Sequence, residues 1–286
     1  MCIRALICIA AFCLATTLGL PSGAVAADVV VRFPSARYLV GELTQRLTHE
    51  RGETLATPPA DTIEGHLLRP PGDGPFPAIV HLHGCGGLTA TRLNDANQFR
   101  RWGYVTLMVD SFTTRGIKDD CLGEHMISRD ADAFGALVYL ASLSFVDANR
   151  IVVVGYAQGG EAALQLASDQ SVKIFDVPDK LKFKAAVAYY PSCGAAFDRL
   201  AIPTLVLIGG RDDWALAASC ERLLRRFDAS GASLKVTVFP DAYHSFDDPA
   251  VRGGVLFFGH ELRYDEAVAT RAAGETRDFL AVHLGR

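Results

Sequence analysis

Ile151-Val152-Val153-Val154-Gly155-Tyr156-Ala157-Gln158-Gly159-Gly160-Glu161-Ala162-Ala163-Leu164 is the stretch that decides the fold. Four consecutive β-branched residues make a strand apolar on both faces, as in a parallel sheet covered on each side. The run Gly159–Ser168 then reads as a helix. Between them lies a turn bounded by glycines, where small residues let strand and helix approach closely. This is the setting of the G-x-S-x-G elbow, whose central residue sits on a strained turn. Here that residue is Ala157, and its methyl group cannot attack a carbonyl.

Moving outward, similar apolar runs predict strands at Ala78–His83, Val105–Val109, Ala185–Tyr189, Thr204–Ile208 and Lys235–Phe239. Val29–Arg32 and Thr62–Leu68 are expected to form an antiparallel edge. Helices are predicted at Asn94–Arg101, Asp130–Leu143, Ala215–Phe227 and Glu261–His283; the second places Ala133, Leu137, Leu140 and Ala141 on one face. Alternating strands and helices predict an α/β fold with a mostly parallel, doubly wound sheet flanked by helices. Ala36–Asp61 is polar and reads as an irregular surface excursion. Such sheets bind ligands at the carboxyl ends of their strands, so chemistry is sought there.

Three further strand ends carry it. His81-Leu82-His83-Gly84-Cys85-Gly86-Gly87 follows the first core strand. Its glycine-rich backbone suits N–H donors aimed at developing negative charge, with Cys85 paired with Gln158 as the oxyanion donors. Leu205–Ile208 ends in Gly209-Gly210-Arg211-Asp212-Asp213, a carboxylate placed to orient a histidine. His244 follows the last strand. Nucleophile position, acid and histidine thus appear in the chain order the elbow requires. Ser192, beyond the Ala185–Tyr189 strand, is a candidate displaced nucleophile, and Arg115 a candidate partner for a substrate carboxylate.

The 286 residues are half hydrophobic with a net charge of −4, enough for a large core. No basic cluster is present, so nucleic acid is not an expected partner. Arg4, the apolar Ala5–Leu20 and the small-residue sequence Ala24-Val25-Ala26 read as a signal peptide over 1–26, with no stable membrane anchor after cleavage. Residues 27–286 are expected to form one domain. Export to a periplasm or the exterior gives the even cysteine set Cys85, Cys121, Cys193 and Cys220 a disulfide reading. Of three pairings, Cys85–Cys121 and Cys193–Cys220 are favoured, because each joins consecutive strand-end loops on one sheet edge. His81 and His83 share a strand face but lack a further metal ligand. Gly155–Gly160 is not G-x-G-x-x-G and no P-loop occurs, so no cofactor is expected. Oligomeric state is not legible.

The stretches HLHGCGGL, DSFTTRG, VDANRIVVVGYAQGG, LIGGRDDW and FPDAYHSFDDP together resemble the dienelactone hydrolase family, from about Thr62 to the last helix. The resemblance implies an α/β-hydrolase fold and a carboxylic ester or lactone as small-molecule substrate. It also implies a serine or cysteine nucleophile followed by aspartate and histidine. Asp212 matches the acid, with Asp213 in reserve, and His244 matches the base. The sequence departs from the family at Ala157, and Leu216 replaces a proline. Two functions remain open: a hydrolase without the usual nucleophile, or an inactive relative that binds a small molecule.

Overall fold

The structure is a computed structural model that describes residues 28–53, 60–168, 171–194, 199–226 and 232–285. The signal-peptide reading of 1–26 lies outside them. Eight strands form one sheet: β1 (Val29–Pro34), β2 (Thr62–Leu68), β3 (Phe76–Leu82), β4 (Val105–Asp110), β5 (Val146–Tyr156), β6 (Ala186–Tyr189), β7 (Thr204–Gly209) and β8 (Leu234–Phe239). Their order is β1-β2-β4-β3-β5-β6-β7-β8. β1 and β2 pair antiparallel with each other and β2 antiparallel with β4; the remaining pairings are parallel. β4, β6 and β7 are buried at every position, which is why their sequences show no alternation.

The helices are α1 (Glu42–Glu50), α2 (Ala90–Arg101), α3 (Arg129–Ala141), α4 (Gln158–Leu166), α5 (Ala217–Arg226) and α6 (Glu266–Leu284). The chain steps from β3 outward to β4, then back across β3 to β5. Right-handed crossovers in opposite directions put α2 and α3 on opposite faces. The order therefore reverses between β3 and β5, and a crevice opens at their carboxyl ends. The loop after β3 and the turn after β5 meet there.

Two expectations are corrected. The excursion Ala36–Asp61 contains α1, a helix of good helix formers that begins at Gly41 without a side-chain cap. The last helix starts at Glu266 rather than Glu261. Asp265 caps it by accepting the Val268 N–H at 3.0 Å, while Val255–Phe257 (β9) and His260–Leu262 (β10) pair as a hairpin.

Candidate active site

β5 runs into the turn at Ala157, whose φ of 51° and ψ of −116° are strained for any residue with a Cβ. The glycines make that turn possible. A Cβ on Gly155 would lie 1.9 Å from the Gly159 carbonyl oxygen, and one on Gly159 would lie 2.4 Å from that of Leu82. Ala157 donates its N–H to the Tyr189 carbonyl at 3.0 Å. Gln158 is the first residue of α4, so its N–H has no partner within the helix.

His244 and Asp212 are both buried, with Nδ1 2.8 Å from the Asp212 Oδ2. Asp212 Oδ1 accepts the N–H groups of Trp214 and Ala215 at 3.0 and 2.7 Å. A carboxylate held this way is an acceptor, so Nδ1 carries the proton. Nε2, on the other side of the ring, has no hydrogen-bond partner among the described residues. The ring lies between Tyr190 and Trp214, with centroids 4.6 and 5.3 Å away. Tyr190 is fixed in turn, its hydroxyl donating to Asp247 at 2.7 Å.

The loop after β3 shows how its donors are oriented. The Ser111 N–H donates to His83 Nε2 at 3.3 Å. His83 must therefore carry its proton on Nδ1, which donates to the Gly84 carbonyl at 2.6 Å. Arg129 donates to the carbonyls of His83 at 2.5 Å and Gly84 at 3.3 Å. Burial and the Arg129 charge hold His83 down to about 3. In a planar trans peptide the N–H points opposite its carbonyl. Cys85 N–H is thereby left without a partner among the described residues, beside the pocket.

A cavity of about 250 Å³ brings together Cys85, Ala157, Gln158, Glu161, Ser192 and His244, among others. Ser192 is exposed on its rim. Disulfides Cys85–Cys121 and Cys193–Cys220 form, in the pairing favoured from strand-end placement. The first ties the loop after β3 to the segment before α3, where Asp120 N–H donates to the Cys85 carbonyl and Gln158 Nε2 to the Asp120 carbonyl, both at 2.9 Å.

Arg115 is a correction. Its guanidinium is shared among Asp61, both oxygens of Asp132 and the Ser111 carbonyl, and it does not line the pocket. It braces its own loop. Asp213 is exposed and faces His260 and the Glu261 N–H rather than His244. Glu161 and Arg129 were missed by sequence reasoning. Glu161 was foreshadowed only by its place one turn after Ala157.

A family model described as the dienelactone hydrolase family matches residues 63–284. Among curated proteins, one from Yersinia pestis described as a carboxymethylenebutenolidase is 21% identical, covering 68% of this chain and 78% of its own. A Bradyrhizobium protein described as a 2-oxo-3-(5-oxofuran-2-ylidene)propanoate lactonase is 21% identical over 64% of this chain and 78% of its own. Among solved structures, a dienelactone hydrolase-like promiscuous phosphotriesterase from metagenomic libraries aligns with a TM-score of 0.62 at 19% identity, covering 89% of this chain and 98% of that one. A dienelactone hydrolase structure from Klebsiella pneumoniae gives 0.59 at 18%, covering 89% and 99%. At these identities the structures speak for the fold alone, which is the α/β-hydrolase fold.

Proposed function

We propose that this chain, which belongs to the dienelactone hydrolase family, hydrolyses a carboxylic ester or lactone with water in place of a side-chain nucleophile. The observation that carries this reading is His244: Nδ1 is held by Asp212, while Nε2 is free of partners among the described residues, at a pocket floored by Ala157. A water beside the Ala157 methyl loses a proton to Nε2 as its oxygen bonds to the carbonyl carbon. Asp212 stabilises the imidazolium. The N–H groups of Cys85 and Gln158 receive the carbonyl oxygen as it becomes an oxyanion. Collapse breaks the ester C–O bond, and the departing alkoxide takes the proton from Nε2. Without the nucleophile, a site of this kind retains roughly 10³–10⁴-fold acceleration over water.

Short aryl esters test this on the protein, on His244→Ala and on Ala157→Ser. Slow hydrolysis lost in His244→Ala supports the water route, and Ala157→Ser is expected to gain at least ~10² in kcat/KM. Ala157 itself favours a second reading, a binding protein with a relic site. That reading wins if the protein and His244→Ala both sit at background while Ala157→Ser becomes active. Hydrolysis abolished by Ser192→Ala would instead assign the attack to Ser192. The leader-like residues 1–26 and the two disulfides support export to an oxidising compartment.

A further inference from the structure

The Ala157 pocket continues along α4. Glu161 stands one helical turn past Ala157, its N–H donating to the Ala157 carbonyl at 2.9 Å, and lines the pocket. Gln158 and Glu161 also line an adjoining cavity of about 360 Å³, bounded farther on by Asp120, Asp130 and the exposed Tyr38.

Apart from Arg129, the acidic and basic side chains along this path beyond His244 are carboxylic acids. Asp130 has no hydrogen-bond or ion-pair partner among the described residues, and burial, with Asp132 near, raises its carboxyl to about 7. Burial also raises Glu161, against its hydrogen bonds from Ser192 and the attraction of Arg129. Asp120 is paired with His125 at 3.0 Å. Arg129, the cation on this path, is committed to the carbonyls of His83 and Gly84 and lies 4.9 Å from the Phe112 ring. No Lys or Arg is among the described residues lining the Ala157 pocket. Independently, His244 is 5% exposed and leaves Nε2 unpartnered among the described residues at the same pocket. A ligand there finds a polar group for its reacting end and carboxylates beyond.

We propose that the site selects an ester bearing an ammonium group, held by Glu161 and Asp130, and turns carboxylate-bearing substrates away. This rests on the ester-site reading above and specifies its substrate class. His244, Ala157 and Glu161 line one cavity of about 250 Å³, so the ammonium belongs a short linker beyond the ester oxygen, as in an aminoethyl or choline-type ester. A carboxylate at that place meets like charges with no free cation to answer them.

Calorimetric binding of three non-hydrolysable amides of matched shape tests the proposal: the 2-(trimethylammonio)ethyl amide of acetic acid, its neutral 3,3-dimethylbutyl isostere, and N-acetyl-β-alanine. The ammonium amide is expected to bind at least tenfold tighter than the isostere, and the carboxylate more weakly than either. Added salt should narrow the gap in the unaltered protein. Glu161→Gln and Asp130→Asn should each erode the preference, and the double variant should erase it. Equal binding of the isostere, tighter binding of the carboxylate, or a preference that survives the double variant overturns the proposal. No hydrolysis is read, and His244→Ala should keep the preference. A protein that shows the preference but hydrolyses nothing therefore sinks the water-attack reading and leaves this one standing.

Discussion

Arg129 sits at the first turn of α3, yet it acts 46 residues away, on the backbone after β3. By drawing the carbonyls of His83 and Gly84 to itself, it polarises those peptides and fixes which way the Cys85 N–H points. Donors set beforehand toward developing charge are where such sites gain most. Replacing Arg129 by Met should leave the buried His83 carbonyl without its donor, at a cost of about 1–3 kcal/mol in stability, while the Gly84 carbonyl keeps the His83 Nδ1 and Gly87 N–H donors. Hydrolysis should fall by about tenfold or more, in kcat rather than KM, because the loss is felt in the transition state. Lys in its place keeps the charge but loses the fork, and should recover only part. Urea titration and aryl-ester kinetics on the same samples separate the two effects; equal kcat in Arg129→Met and in the parent protein would remove Arg129 from this role. Ala157, Asp212 and His244 were legible because each follows a strand directly. Arg129 and Arg115 were not, because their partners are chosen by tertiary placement. Arg115 reaches Asp61 and Asp132, 54 and 17 residues away.

At the scale of elements, the strand–turn–helix unit after β5 was readable because its constraints are local: β-branched residues, close-approach glycines and a following helical run. Helix ends were harder. α2 begins at Ala90 rather than Asn94, since Thr89 accepts the Arg92 N–H at 3.3 Å and starts the helix a turn early. α6 begins late because the β9–β10 hairpin and the Asp265 cap claim the preceding residues. The elbow also stores strain that catalysis by a side chain at 157 no longer requires. A positive φ costs a non-glycine residue about 1–3 kcal/mol, whereas glycine loses roughly 0.5–1 kcal/mol through the freer unfolded chain. Ala157→Gly is therefore expected to raise stability by about 1 kcal/mol, seen as a higher urea midpoint with unchanged m. A lower midpoint would mean that the methyl group's packing outweighs the strain it imposes.

Across the whole molecule, the sheet that positions the site also buries ionisable groups unevenly, and this sets how stability responds to pH. His81 is fully buried, neither ring nitrogen has a hydrogen-bond partner among the described residues, and burial with the nearby Arg92 charge holds its pKa well below the usual histidine value. Its ionised form is tolerated in the unfolded chain but not in the folded one. As pH falls below about 6.5, the unfolded state takes up a proton that the folded state refuses, so stability drops. Asp130 has the opposite sign. Its carboxyl is raised to about 7 in the fold, so the unfolded state ionises first and stability drops as pH rises from about 4 to about 7. Comparison of each variant with its parent isolates these groups from the remaining carboxylates. His81→Phe should match the parent within about 1.5 kcal/mol at pH 8 and gain on it by up to about 1.4 kcal/mol per pH unit below 6.5. Asp130→Asn should equal the parent near pH 4 and exceed it by up to about 4 kcal/mol at pH 8. Urea unfolding at four or five pH values reads both. A His81→Phe difference that is flat with pH would mean that a hydrogen-bond partner satisfies His81 in solution. A flat difference for Asp130→Asn would mean that its carboxyl is solvated, and would weaken its place beside an ammonium ligand.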